Sequence, residues 1–125
     1  MKTILEAQKE ICKRFSAIHF PCGEDLSVYF ASETKGLLPL NGERVKGLDG
    51  ESGWYIWCGA ERHDRDDFFE QISVFDLSQR APLASAFLGL PTGFKFLIAG
   101  GHKRAWLEPS LLSSEEVQNE SEPGA

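Results

Sequence analysis

Glu51-Ser52-Gly53-Trp54-Tyr55-Ile56-Trp57-Cys58-Gly59-Ala60-Glu61 packs two indoles and a phenol into a short run framed by glycines. The run reads as one central strand over 53–58 rather than a helix. Side chains alternate across a strand, which sends Trp54, Ile56 and Cys58 to one face and Tyr55 and Trp57 to the other. Both faces are therefore apolar or aromatic. A strand of this kind is covered on both sides, or else it offers one side to a partner.

Working outward, Thr3-Ile4-Leu5-Glu6 has the spacing of a capping box, and Ile4, Ile11, Phe15 and Ile18 recur at helical spacing with Lys9, Glu10, Lys13 and Arg14 between them. Residues 3–18 are expected to form an amphipathic helix packed on the domain. Leu26 to Ala31 alternates as a strand, and a short strand is expected around Arg44-Val45-Lys46. After the central strand, Asp64, Asp66 and Asp67 precede Phe68-Phe69-Glu70-Gln71-Ile72, where acidic residues suit the positive end of a short helix. Val74-Phe75-Asp76-Leu77 reads as a brief strand leading into a second short helix, with Pro82 in its first turn and Ala84, Phe87 and Leu88 on its apolar side. Phe94 to Ala99 and Arg104 to Leu107 flank Gly100-Gly101-His102-Lys103, a hairpin signal.

The layer rules for such a mixed pattern predict an α+β domain over residues 1–110. It would hold a mainly antiparallel sheet of about four to six strands, with the N-terminal amphipathic helix and two short helices packed against it. From 111 to 125 the chain turns acidic and polar, and a disordered tail is expected there.

Composition narrows the function. The 125 residues fit one domain, and nine Phe and three Trp can fill a modest core. The net charge is −6, but Glu115, Glu116, Glu120 and Glu122 supply four of those charges, leaving about −2 on the body. No basic stripe suited to several phosphates is visible, so no nucleic-acid partner is expected. Cys12, Cys22 and Cys58 form an odd set without a CxxC pair, which disfavours a disulfide framework and a cysteine zinc site. Charged residues interrupt the N-terminus before an apolar signal core can form, and no run approaches a membrane span. A cytoplasmic protein with no membrane partner is expected.

Three constellations invite chemistry. His63, Asp64, Asp66 and Asp67, with Glu61 nearby, bring nitrogen and oxygen donors into one loop. The glycine and terminal glutamate of a calcium loop are missing, Arg62 and Arg65 supply local counter-charges, and an acidic loop capping a helix is the simpler reading, so no metal is expected. Cys58 with a distant histidine makes a conceivable nucleophilic pair, but an interior cysteine usually behaves as a small hydrophobe. The glycine pair at 100–101 fits neither the P-loop nor the dinucleotide fingerprint, and no cofactor is expected.

Ser52-Gly53-Trp54, Trp57-x-Gly59-x-Glu61, Asp67-Phe68-Phe69 and Phe87-Leu88-Gly89-Leu90-Pro91-x-Gly93-x-x-Phe96 together resemble the immunity protein 33-like family of small bacterial domains, over roughly residues 45–110. The resemblance implies a cytoplasmic, non-enzymatic protein of a polymorphic toxin system, whose partner is a cognate toxin that it binds and neutralises. It carries over no catalytic residues. On that reading Tyr55, Trp57 and Trp106 are the candidate anchors of the partner-binding surface, and Glu61, Asp64, Asp66 and Asp67 its acidic rim. Two other classes compete with it. One is a small-ligand or protein-interaction domain without a toxin. The other is a small enzyme using Cys58 or His63, which requires a pocket holding titratable groups of shifted acidity.

Overall fold

A computed structural model describes residues 3–63, 65 and 67–112. Its architecture is α+β: three helices and one six-stranded sheet. The strands are β1 (Ser27–Phe30), β2 (Leu40–Arg44), β3 (Glu51–Cys58), β4 (Glu70–Ser73), β5 (Phe94–Ala99) and β6 (His102–Leu107), arranged in the order β4-β1-β3-β2-β5-β6. Only the β1–β3 pair is parallel among these neighbours.

The aromatic stretch lies near the middle of the sheet and alternates as expected. Trp54, Ile56 and Cys58 enter the main core with Phe30, Phe87, Phe96 and Ile98, whereas Trp57 packs in a second cluster with Ala31, Phe68 and Phe69. All three helices lie on the main-core side: Cys12 of α1 (Ile4–Arg14), Val74 and Leu77 of α2 (Val74–Arg80) and Ala84 of α3 (Pro82–Ser85) belong to that cluster.

Thr3 caps α1 by accepting from the Glu6 amide at 3.1 Å. The helix ends at Arg14, earlier than residue 18. Ser16 takes the left-handed conformation (φ 56°), its amide donates to the Lys13 carbonyl, and the Ala17 amide donates to that of Cys12. This paired closure terminates helices, usually with glycine at the Ser16 position. Ile18 consequently falls beyond the helix and is exposed instead of sharing its apolar face.

Two further expectations are corrected. Residues 68–72 do not form a helix. Phe68 is buried beside Trp57, and 70–73 form edge strand β4, with Ile72 opposite Val28. Residues 74–77 are not a strand but the start of α2, because the Ser73 hydroxyl accepts from the Asp76 amide at 3.0 Å and caps a helix there. The strand expected at 44–46 runs instead over 40–44. Its polar members hid it, and Gly42 belongs in it because a Cβ there would stand 2.1 Å from the Phe96 ring. The β5–β6 turn uses Gly100 and Gly101 alone, with positive φ at the first, and His102 and Lys103 already belong to β6. Of the tail expected from 111, only Leu111 and Leu112 lie within the described residues.

Candidate functional site

The sheet face opposite the helices carries a row of side chains set by strand register. Gln71, Tyr29, Tyr55, Glu43, Lys95 and Trp106 stand opposite one another across β4, β1, β3, β2, β5 and β6 in turn. The next row on the same face holds Trp57, Asn41, Leu97 and Arg104. Tyr29 and Tyr55 stack with centroids 4.9 Å apart, and Phe69 meets Tyr55 edge-on at 5.2 Å. The Tyr29 hydroxyl donates to Glu51 Oε2 at 2.9 Å, and that bond holds the pKa of the phenol above its ordinary value.

Arg62 organises this face. Its guanidinium carbon lies 5.1 Å from the Tyr55 and Phe69 ring centres and 5.5 Å from that of Trp57, while Nη1 donates to Glu43 Oε2 at 2.6 Å. Glu43 also receives Lys95 at 3.2 Å, and Lys95 and Arg104 both lie within 6.0 Å of the Trp106 ring centre. Cations over aromatic faces are attracted by the ring quadrupole, so charge and ring hold each other in register. The result is an aromatic strip interleaved with nearly balanced charge.

The expected site residues separate into three groups. Tyr55 and Trp106 share the open face and are half-buried, leaving part of each ring to solvent. Trp57 shares the face but is only 6% exposed, and its Nε1–H is buried with no hydrogen-bond partner among the described residues. Glu61 and Asp67 are exposed in the loop after β3, where Asp67 pairs with Arg65 at 3.1 Å, and Arg65 also pairs with Glu33. Asp64 and Asp66 lie outside the described residues. Sequence reasoning missed Tyr29, Arg62, Phe69 and Arg104 as members of the strip. The alternation of β1 offered a signal for Tyr29, whereas Arg62 looked like a local counter-charge.

On the helix side, a polar cluster is buried. Arg44 is 2% exposed, and its guanidinium donates to the carbonyls of Ser52 (2.9 Å), Phe20 (3.1 Å), Leu88 (3.0 Å) and Leu90 (2.8 Å) while lying 4.7 Å from the Phe20 ring centre. Burial lowers its pKa, but from a starting value so high that the guanidinium remains charged. Gln8 serves both backbone groups of Cys22, donating to its carbonyl and accepting from its amide, and the Cys12 thiol donates to the Gly89 carbonyl. These contacts stitch α1 to the loops at 19–22 and 88–90.

Burial pushes the Cys12, Cys22 and Cys58 thiols up, the direction opposite to activation of a nucleophile. Native-state labelling with a maleimide, resolved by peptide mass spectrometry, should therefore be slow at all three compared with the denatured chain. Cys58, at 7% exposure, should react ahead of Cys12 and Cys22. Rapid native labelling at Cys12 or Cys22 would show that the helix layer opens readily. Among the described residues no group of three or more His, Cys, Asp or Glu side chains is placed to hold a metal ion, and no helix is long and apolar enough to cross a membrane.

Comparison with known proteins identifies the family. Residues 7–108 match the Imm33-like domain, so the chain belongs to that family. The match reaches back into α1, well before the 45–110 stretch in which the resemblance was legible. No curated protein and no solved structure matches the chain.

Proposed function

We propose that this member of the Imm33-like domain family is an immunity protein that binds a cognate toxin and blocks it by occlusion, without making or breaking a bond. The observation that carries the reading is the open sheet face, with Tyr29, Tyr55, Phe69 and Trp106 displayed between the cations Arg62, Lys95 and Arg104. Aromatic and arginine side chains held in one conformation lose little entropy on docking, and they are the types that dominate binding energy. Tyr55 and Trp106 act as anchors, with Trp57 and Phe69 packing beneath and beside them. Glu61 and Asp67 form an acidic edge that speeds encounter with a basic toxin surface, and Asp64 and Asp66, outside the described residues, add negative charge to the same stretch of sequence.

The test uses the product of the reading frame adjacent to this gene. It should co-purify with the full chain, and Trp106→Ala or Tyr55→Ala should each weaken the complex about tenfold or more while the fold is retained. Charge reversal at Asp67 should act mainly on the association rate and its salt dependence. Absence of a toxin-like neighbour together with empty pull-downs would remove the support for this reading.

A further inference from the structure

A pocket of about 370 Å³ opens at the other side of the sheet, where the helical layer stops short of the strand ends. Its buried members are Phe30, Leu40, Cys58 and Ile98; Leu40, Cys58 and Ile98 are direct neighbours across β3, β2 and β5. Its exposed members are Leu37 and Leu38 from the loop before β2 and Leu83 from α3, each more than half exposed. Three large aliphatic side chains held in water around an opening into the core form a patch that isolated surface leucines do not. The volume falls within the range of small-molecule sites.

Charge at the opening selects the occupant. Lys35 and Arg80 line the pocket, and no carboxylate does. Arg80 is already committed, donating to Glu70 at 2.6 Å and to Ser32 at 3.2 Å. Lys35 is exposed, and among the described residues its ammonium has no partner. One unpaired cation beside an apolar chamber matches one negative head on an apolar body. We propose that this pocket binds a small amphiphilic monocarboxylate of the fatty-acid type, with its chain between Leu83 and the ends of β2, β3 and β5 and its carboxylate on Lys35. The site lies on the opposite sheet face from the aromatic strip, so it stands or falls independently of toxin binding.

Decanoate below its micelle concentration is the probe for the full chain, with decyltrimethylammonium as the charge-reversed control. Decanoate should raise the melting temperature and slow maleimide labelling of Cys58 without changing that of Cys12. Lys35→Glu, at an exposed side chain without a partner, should fold normally and weaken decanoate binding about tenfold or more. Leu83→Trp, which fills the opening, should protect Cys58 with no ligand present. Equal protection by both amphiphiles, no protection by either, or unchanged decanoate binding in Lys35→Glu would each overturn the proposal.

Discussion

Arg44→Met should destabilise the chain by about 3–5 kcal/mol, a large fraction of the 5–15 kcal/mol that typically separates native from unfolded domains. Methionine approximates the length of the arginine stem, so the variant removes charge and donors with little change in packing. The carbonyls of Ser52, Phe20 and Leu90 would lose the guanidinium donor, while Leu88 would keep the Trp54 indole N–H at 2.8 Å. Two effects oppose each other. Removing a buried guanidinium recovers its desolvation cost, which for some buried ion clusters is enough to make an apolar replacement neutral or stabilising. That outcome requires every polar member of the cluster to be replaced. Here the acceptors are backbone carbonyls in three separate segments and cannot be substituted, so the lost bonds at Ser52 and Leu90 each leave a buried acceptor unsatisfied at about 1–3 kcal/mol, while the part-buried Phe20 carbonyl adds less. Arg44→Lys should fall between wild type and Arg44→Met, because an ammonium keeps the charge but cannot spread its donors over the same fork. Urea unfolding would show a lowered midpoint at an unchanged slope. A shift below 1 kcal/mol for Arg44→Met would mean that the desolvation of the guanidinium offsets its hydrogen bonds.

Arg44 also marks where sequence reading stopped. In the string Glu43-Arg44-Val45-Lys46 it has the look of a solvated strand charge, and nothing local announces acceptors at Phe20, Ser52, Leu88 and Leu90. The Phe87 to Phe96 motif was visible as a family pattern, but that its carbonyls at 88 and 90 enclose an arginine from β2 is a tertiary fact. By contrast, Trp54 to Cys58 was legible because the two-residue period of a strand is local, and Thr3 and Pro82 because caps and first-turn prolines act within one turn. Residues 68–77 were read in the reverse order, helix then strand. The acidic run before Phe68 mimicked a helix start, while the real start lay at Ser73, and burial of Phe68 against Trp57 outweighed local propensity. For the binding face, alternation alone put Tyr55 and Trp57 together. Trp106 joins them only through the registers of β2 and β5, which no local pattern encodes.

Gly53→Ala should be as damaging as the loss of Arg44, by a different route. Gly53 has φ +89°, and a Cβ there would stand 1.9 Å from the Val45 carbonyl oxygen and 3.0 Å from its carbon. Neither atom is the movable end of a side chain. The approach is fixed because the Val45 amide donates to the Gly53 carbonyl at 2.9 Å, closing the β2–β3 connection, and β1 and β3 change register across the same region. Left-handed backbone costs a residue with a Cβ about 1–2 kcal/mol, and displacing packed atoms adds about 1–3 kcal/mol, so about 2–5 kcal/mol is expected for Gly53→Ala. Gly50 separates the two contributions: its φ is +80°, but a Cβ there meets nothing within 4 Å. Gly50→Ala should therefore lose only the dihedral part, about 1–2 kcal/mol. Because Trp54 and Tyr55 follow directly, Gly53→Ala should also alter the near-ultraviolet signal of the aromatic core and loosen the open face, whereas Gly50→Ala should leave both intact. If the two variants unfold at the same denaturant concentration, the close approach of Val45 contributes nothing. Ser52-Gly53-Trp54 would then owe its place in the family pattern to backbone freedom alone.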